Sequence, residues 1–270
     1  MIGFIGCGNM GGALARAAAK AVPPADILLA NRTPEKARAL AEELGARWAD
    51  NETVARESRF LFLGVKPQML QRLLFDLRPV LAERRDRFIL VSMAAATPAA
   101  KVREMASLTP SGFVPCDWPV IRIMPNTPAA VGRGVTQYCT LDVTEEELAE
   151  FLAIMAPSGM MDPVPEEMID VANCLSGCGP AFAFLFMEAL ADGAVACGLP
   201  RDKANAYAAQ TLLGAGALAL ETGLPFGQLK DQVCSPGGVT IQGVRALERG
   251  GLRSAAMEAV IAAVKKTKQM

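Results

Sequence analysis

The first eleven residues constrain the fold of this chain more than any other stretch. A short apolar run, Ile2 to Ile5, is followed at once by Gly6-Cys7-Gly8-Asn9-Met10-Gly11, and a helical pattern then runs from about residue 12 to residue 21. Between a strand and a helix, a G-x-G-x-x-G loop lets the backbone turn tightly and approach a pyrophosphate, which sits on the helix N-terminus. The glycines are also compatible with a purely structural turn, but this context favours dinucleotide binding.

Apolar strands and helices continue to alternate through the first half of the chain. Near-continuous apolar strands separated by helices are typical of a parallel sheet that is buried on both faces. We therefore expect an α/β protein in which residues 1–163 form a Rossmann dinucleotide-binding domain. The strands are predicted at residues 2–5, 27–30, 60–65, 88–91, 120–123 and 134–140, with an edge strand at 160–163 and a surface insertion at 109–119.

The residues after the second strand bear on the choice of cofactor. An NAD-type fold usually places a carboxylate here to bond the ribose 2′-hydroxyl, but this chain has Asn31-Arg32-Thr33. The guanidinium of Arg32 can form fork-shaped, charge-assisted hydrogen bonds to a 2′-phosphate. The alternative is a surface arginine that caps the turn. We predict NADPH as the cofactor, with NADH as a weaker alternative.

Three further stretches follow predicted strands at the carboxyl edge of the sheet, where ligands bind in such folds. Each joins a strand end to proline or to small residues, which suits a loop that lies against a flat cofactor ring. The stretches are Val65-Lys66-Pro67, Ser92-Met93-Ala94-Ala95 and Met124-Pro125-Asn126-Thr127-Pro128.

From Pro165 onward the strand signals vanish, and residues 164–270 are predicted to form an all-α domain. Its most informative element is a long helix over residues 181–197, in which only Glu188 and Asp192 are charged. A helix that is apolar on nearly all sides is buried, yet a domain of about 100 residues encloses little surface. We infer that a second subunit covers this helix, so that the domain is a dimerisation domain.

A second glycine-rich loop lies near the end of the chain. Cys234-Ser235-Pro236-Gly237-Gly238-Val239-Thr240 separates two predicted helices. Proline and glycine break the first helix, and the loop then presents unpaired N–H groups at the start of the next one. Such a helix start can seat a small anion such as a carboxylate. The alternative is a tight turn between helices.

Composition excludes several functional classes. The absence of histidine removes the commonest general acid–base, the Ser-His-Asp triad and the usual zinc ligands, and no metal site is expected. A net charge of -1 argues against binding to nucleic acid or to a membrane surface. Seven cysteines without a C-x-x-C pair, and with no signal peptide before them, indicate reduced thiols in a cytoplasmic protein. No apolar run approaches the ~20 residues that span a bilayer.

The order of the motifs is more specific than any one of them. Together with the chain length, it closely resembles the Δ1-pyrroline-5-carboxylate reductase family, which makes proline from a cyclic imine. The resemblance covers essentially the whole chain and implies a C-terminal domain that interlocks two subunits, often in larger rings of dimers. The motifs are Gly6-x-Gly8-Asn9-Met10-Gly11, Val65-Lys66-Pro67, Met124-Pro125-Asn126-Thr127-Pro128, Gly177-Cys178-Gly179-Pro180-Ala181 and Ser235-Pro236-Gly237-Gly238-Val239-Thr240.

The resemblance also implies roles for individual residues. The substrate carboxylate would be held by Ser235, Gly238 and Val239, and Glu166 matches a glutamate near the substrate, with Glu167 as an alternative. A departure from the family pattern is Ala96, which stands where a glycine is common. The implied cofactor-binding residues are Gly6, Cys7, Gly8, Asn9, Met10, Gly11, Asn31, Arg32, Thr33, Asn51, Val65, Lys66, Pro67, Ala94, Ala95 and Asn126.

By the same resemblance, Thr240 would place its hydroxyl at the ring nitrogen of the substrate and act in catalysis. The alternative is plain helix capping. Three other functions compete: an imine reductase on a six-membered ring, a β-hydroxyacid dehydrogenase, and a non-enzymatic NADPH-binding protein. The dehydrogenase requires a lysine base where this chain has Gly179-Pro180. The function implied by the resemblance, NADPH-dependent reduction of the five-membered imine, accounts for every motif.

Overall fold

The computed structural model describes residues 1–269. The chain divides into two compact units. Unit 1 comprises Met1–Gly177 together with the end of the chain from Thr267, and unit 2 comprises Cys178–Lys266.

Unit 1 is built on an eight-stranded sheet with the strand order β10-β9-β8-β5-β4-β1-β2-β3. Strands β6 and β7 form a separate antiparallel hairpin within the predicted insertion. The strands are β1 (Ile2–Ile5), β2 (Ile27–Ala30), β3 (Arg47–Trp48), β4 (Phe60–Leu63), β5 (Ile89–Ser92), β6 (Leu108–Thr109), β7 (Gly112–Phe113), β8 (Val120–Met124), β9 (Gly134–Leu141) and β10 (Gly159–Pro163).

The sheet is parallel except at one pair. Strand β9 runs antiparallel to β8, and β10 then pairs parallel to β9 at the edge. The connection between β8 and β9 holds only a short 3-10 helix, Thr127–Val131. A parallel crossover needs a dozen or more residues, so this short link forces the chain to return antiparallel. The α/β Rossmann prediction is confirmed, with β9 and β10 reversed relative to the other six strands of the sheet.

Both faces of the sheet are covered by helices, and neighbouring residues on one strand enter different apolar clusters. Phe60 and Phe62 pack on the face that carries α1 and α6, whereas Leu61 and Leu63 pack on the face that carries α4 and α5. The helices of unit 1 are α1 (Asn9–Ala18), α2 (Pro34–Leu44), α3 (Asn51–Glu57), α4 (Pro67–Glu83), α5 (Ala99–Ala106), α6 (Glu145–Met155) and α7 (Glu166–Ser176).

Helix α7 belongs to unit 1, so the structure divides after Gly177 and not after residue 163 as the sequence predicted. The physical reason is a buried charge. Arg122 on β8 is only 1% exposed, and its Nη2 lies 2.7 Å from a carboxylate oxygen of Asp170 on α7. At the other end of the helix, the Asn126 side chain donates to the Ser176 carbonyl at 2.9 Å.

Unit 2 is entirely helical, as predicted. Helices α8 and α9 pack against each other. Among the described residues of unit 2, however, only Ala191, Ala204 and Ala208 are buried. Phe184 and Leu185 on α8 are 62% and 69% exposed. The helices are α8 (Gly179–Ala196), α9 (Arg201–Thr222), α10 (Phe226–Val233), α11 (Val239–Arg249) and α12 (Leu252–Thr267).

The stretch Glu166–Ala196 is long and apolar enough to cross a membrane by length and composition alone, although polar residues interrupt it and it contains no continuous apolar run of that length. It consists of α7 and α8, which are interrupted at Gly177 and Cys178. Because α7 is tied to unit 1 by buried ion pairs, the two helices are different structural elements. Among the apolar side chains of α8, Phe184, Leu185 and Leu190 remain exposed in the single chain.

Candidate active site

The glycine loop between β1 and α1 has the geometry that a pyrophosphate requires. Gly6 has φ +102°, and a Cβ on Gly11 would lie 2.0 Å from the Gly6 carbonyl oxygen, so both positions must be glycine. A Cβ on Gly8 would meet nothing within 4 Å. Gly8 is the N-cap of α1, and no side chain caps that helix. The loop therefore leaves open space in front of the uncapped N–H groups, which fits an anionic group.

Asn31 ties this loop to the end of β2. Its Oδ1 accepts a hydrogen bond from the Cys7 backbone N–H at 3.0 Å, and its Nδ2 donates to the Thr33 carbonyl at 3.0 Å. Burial raises the pKa of the Cys7 thiol to about 11, so the thiol is neutral at physiological pH. Asn31 and Cys7 thus shape the predicted cofactor loop through contacts within the chain.

A cavity of about 330 Å³ opens beside Arg32 and Asn51. The Arg32 guanidinium contacts the Met69 sulfur at 3.9 Å and forms no ion pair with any carboxylate of residues 1–269. Asp50 caps α3 by accepting from the Thr53 N–H, which lowers the pKa of that carboxyl group. An unpaired guanidinium at the wall of this cavity fits the 2′-phosphate expected from the sequence.

Sequence reasoning missed two residues of the same cavity. Arg38 and Trp48 both line it, and the Arg38 guanidinium carbon lies 4.1 Å from the centroid of the Trp48 ring. Arg38 is exposed, and it too has no carboxylate partner among the described residues. No local signal in the sequence pairs them, since Arg38 lies on α2 and Trp48, which is 48% exposed, lies on the edge strand β3.

The loop between β5 and α5 carries the predicted residues Ala94 and Ala95. Ala94 is buried, and its N–H donates to Ser92 Oγ at 3.4 Å. The Thr97 hydroxyl donates to the Ala95 carbonyl at 3.1 Å. Ala96 has φ +52°, a left-handed conformation. This explains physically why a glycine would be common at that position.

The other two strand-end loops lie at the same edge of the sheet. Lys66 is the N-cap of α4, with Pro67 at the first helical position, and Lys66 is exposed. Asn126 is buried and holds its loop in place, because its Oδ1 accepts from the Val135 N–H at 2.9 Å while its Nδ2 donates to Ser176. A direct contact between Asn126 and the cofactor stays a prediction.

Glu166 begins α7, and its carboxylate faces protein groups. Its Oε1 accepts from the Ala99 backbone N–H at 2.7 Å and lies 3.4 Å from Arg122 Nη1. Burial, and then the charge of Glu166, raise the pKa of the Cys139 thiol to about 12. The neighbouring Glu167 is exposed. A contact between Glu166 and substrate stays a prediction.

The second glycine loop, in unit 2, has the open helix start that the sequence predicted. Gly238 is the N-cap of α11 without any side-chain cap, Gly237 has φ +70°, and the Gly238 N–H donates to the Ser235 carbonyl at 3.0 Å. Val239 is 90% exposed. Since Gly238 holds the capping position, Thr240 does not cap the helix, and its hydroxyl has no hydrogen bond to a described residue.

The whole chain is similar to known proteins. Residues 166–270 match the family model described as pyrroline-5-carboxylate reductase dimerisation, and residues 1–96 match the model described as NADP oxidoreductase coenzyme F420-dependent. Pyrroline-5-carboxylate reductase from Methanosarcina acetivorans is 40% identical over 273 positions, which cover 100% of this chain and 97% of that protein. The protein of that name from Escherichia coli is 37% identical with the same coverage.

The solved structures that resemble this chain carry the same enzyme name as its sequence relatives. The structure of a pyrroline-5-carboxylate reductase from Coxiella burnetii has a TM-score of 0.86 at 32% identity and covers 99% of this chain and 97% of that one. The crystal structure of Plasmodium falciparum pyrroline carboxylate reductase with NADP bound has a TM-score of 0.84 at 30% identity, with the same coverage. Both similarities extend through unit 1 and unit 2.

Proposed function

This chain belongs to the pyrroline-5-carboxylate reductase family, and from that premise we propose which of its residues bind the cofactor and which bind the substrate. The protein reduces Δ1-pyrroline-5-carboxylate to proline with NADPH, in the last step of proline biosynthesis. The observation that carries the proposal is the presence in one chain of two uncapped helix starts behind glycine loops, one in each unit. Each offers backbone N–H groups to an anion.

Unit 1 holds NADPH in this proposal. The loop Gly6–Gly11 receives the pyrophosphate at the start of α1, and Arg32 pairs with the 2′-phosphate. Trp48 and Arg38 provide a flat, cationic wall for the adenine end. Asn51 and the remaining predicted residues of the strand-end loops line the rest of the cofactor. NADPH supplies the hydride for the C=N carbon of the substrate, and the chain itself supplies orientation and electrostatics.

Unit 2 holds the imino acid. The Val239 N–H and the Ser235 hydroxyl bind its carboxylate at the start of α11. Gly238, whose own N–H is bonded to the Ser235 carbonyl, completes the loop on which the carboxylate sits. The Thr240 hydroxyl accepts a hydrogen bond from the protonated ring nitrogen and donates one to the amine of the product. Thr240 orients the ring and relays a proton whose ultimate source is water. The chain contains no histidine that could take this role.

Purified Thr240→Ala protein tests the catalytic role. A hydrogen bond to a charged group contributes about 1.5–3 kcal/mol, so we expect kcat to fall by about tenfold to a hundredfold. Thr222→Ala, a threonine in the same unit whose hydroxyl donates to the Leu218 carbonyl, is the matched control. Equal turnover of Thr240→Ala and the parent would remove Thr240 from the mechanism.

The reaction itself is tested by NADPH oxidation with pyrroline-5-carboxylate and with its six-membered homologue, piperideine carboxylate. We expect the five-membered imine to give the higher kcat/KM. Faster reduction of the six-membered ring would reassign the substrate. NADPH binding without reduction of either imine would favour a non-enzymatic role.

We also propose that the protein is a cytoplasmic homodimer. Two observations support this proposal: residues 166–270 match the family model described as pyrroline-5-carboxylate reductase dimerisation, and exposed apolar side chains of α8 offer a surface for a second copy. We extend the proposal to larger rings of such dimers, which the family resemblance implies. The seven cysteines, all of which lie within residues 1–269, form no disulfide, which suits a reducing compartment.

A further inference from the structure

Helix α5 lacks a cap of its own. It begins at Ala99 after Pro98, no local side chain caps it, and no acidic residue occupies its first turn. The first residues of any helix leave unpaired N–H groups, and a carboxylate placed there is stabilised by the helix dipole. The first turn of α5 instead contains a cation, Lys101.

The missing cap comes from a distant part of the chain. The Glu166 carboxylate accepts from the Ala99 N–H at 2.7 Å across 67 residues of sequence. Arg122 holds that carboxylate at 3.4 Å and is itself fixed by Asp170 at 2.7 Å. The Arg122 side chain is 1% exposed, whereas those of Glu166 and Asp170 are 34% and 36% exposed, so the two carboxylates are anchored to the interior of unit 1 through the arginine.

The capped helix directly follows the loop that carries Ala94 and Ala95. One end of that loop is fixed by β5, which ends at the buried Ser92. Ala96, in the middle, has the left-handed φ of +52°. Such a conformation persists only where the surrounding structure determines it, and the bond from Glu166 to Ala99 fixes the other end of the loop.

We propose that Glu166 is a positioning residue for the reductase reaction: it caps α5 from a distance and thereby holds the loop of residues 93–98 against the cofactor. The inference rests on the proposed function in one respect, namely that Ala94 and Ala95 line NADPH. It differs from the role implied by the family resemblance, since Glu166 acts here through the Ala99 backbone and not through contact with substrate.

The test compares three full-length variants, Glu166→Ala, Glu166→Gln and Glu167→Ala. Glu166→Ala should fold, because Arg122 keeps Asp170 as its counter-ion. We expect it to weaken NADPH binding by about tenfold, measured by cofactor fluorescence without substrate, and to leave the KM for pyrroline-5-carboxylate unchanged. Hydrogen exchange at the Ala99 amide should accelerate. A role in stability alone would lower the melting temperature without changing cofactor affinity.

The other two variants identify the hydrogen bond as the cause. Glu166→Gln keeps an oxygen that can accept from Ala99 and should restore most of the NADPH affinity. Glu167→Ala removes the adjacent exposed carboxylate and should bind NADPH as the parent does. The proposal is overturned if Glu166→Gln is as impaired as Glu166→Ala, or if Glu166→Ala raises the imino-acid KM at unchanged NADPH affinity. A parent enzyme that binds NADPH but reduces no imine would contradict the proposed function and leave the capping role intact.

Discussion

Ala96 is a residue whose type and backbone conformation disagree. A left-handed conformation costs a residue with a Cβ about 1–2 kcal/mol, and glycine avoids that cost but loses about 0.5–1 kcal/mol in chain entropy. With φ at +52°, Ala96→Gly should raise the free energy of unfolding by up to about 1 kcal/mol. Chemical denaturation of the cofactor-free protein measures it.

The neighbouring alanine provides the control for that prediction. Ala95 does not have a positive φ, so Ala95→Gly brings the entropic loss without relieving strain and should lower the free energy of unfolding. If both glycine variants were destabilised alike, the strain at Ala96 would be negligible. Whether each variant raises or lowers the free energy of unfolding, more than by how much, decides whether the backbone at Ala96 is strained.

Arg32 carries the prediction for cofactor selectivity. It is the unpaired guanidinium nearest the end of β2, at the wall of the cavity that Arg38, Trp48 and Asn51 also line. Arg32→Ser should lower kcat/KM for NADPH by about tenfold to a hundredfold, as expected for a lost charge-assisted bond, and should leave kcat/KM for NADH nearly unchanged. Steady-state assays with both cofactors measure the ratio.

An exposed arginine outside the cavity controls for the loss of charge. Arg72 pairs with Asp76 on the surface of α4, and Arg72→Ser should not alter the preference. A parent enzyme that prefers NADH, or an Arg32→Ser variant with the parent's preference, would contradict the assignment of the 2′-phosphate to Arg32.

At the scale of elements, α6 shows how a capping box is reinforced from outside the helix. The Thr144 hydroxyl accepts from the Glu147 N–H at 3.2 Å, and the Glu147 carboxylate accepts from the Thr144 N–H at 2.9 Å. Arg87 also donates to that carboxylate, from its Nη2 at 3.0 Å. The Arg87 guanidinium, more than any other group, holds the pKa of Glu147 below its ordinary value of 4.5.

This shift determines a pH dependence. Because the folded-state pKa of Glu147 is depressed, its stabilisation is fully present above about pH 4.5 and is lost as the pH falls through the lower, folded-state value. Melting temperatures of the parent should therefore decline on acidification below pH 4.5, and Glu147→Gln should flatten part of that decline. Glu150→Gln, which removes an exposed partner of Arg59, should follow the parent curve. If the melting temperatures of Glu147→Gln and the parent fell in parallel as the pH is lowered, the Glu147 carboxylate would not contribute to the pH dependence of stability.

The elements that sequence predicted well are those whose signals are local. The glycine loop, α2 and α11 begin and end with their own glycines and prolines, such as Pro34 and Gly45 around α2 and Gly238 and Gly250 around α11. Helix α5 has no such local start signal, because its cap comes from Glu166. The reversed direction of β9 also escaped prediction, since strand direction follows from the length of the connection and not from the strand's own residues.

The residues of the candidate site also divide into those with local sequence signals and those that depend on contacts between distant parts of the chain. Gly6, Gly8, Gly11 and the open start of α11 could be predicted, because backbone geometry there depends on residue type. Arg38 and Trp48 could not, because they meet only when α2 and β3 are placed side by side. The contacts of Glu166 were equally invisible, since they join residues far apart in sequence.

At the scale of the whole molecule, the exposed face of α8 predicts the oligomeric state. A buried leucine contributes about 1.5–3 kcal/mol, and in a two-fold symmetric dimer each substitution acts twice. Leu185 is 69% exposed in the single chain, so Leu185→Glu should shift the protein from dimer towards monomer in sedimentation velocity.

Val131 is the matched control, because it is an equally exposed apolar side chain in unit 1 at 71%. Val131→Glu should leave the sedimentation coefficient unchanged. A Leu185→Glu protein that remains fully dimeric at low micromolar concentration would place the interface elsewhere.

The attachment of α7 to unit 1 also decides where this chain can be recombined with a relative. A hybrid gene joined at residue 163 would combine Arg122 from one parent with Glu166 and Asp170 from the other, and any mismatch would leave a buried guanidinium without its carboxylates. A crossover after Gly177 inherits all three residues from one parent. Libraries that exchange the helical half between reductases should therefore yield folded hybrids from the later junction and few from the earlier one.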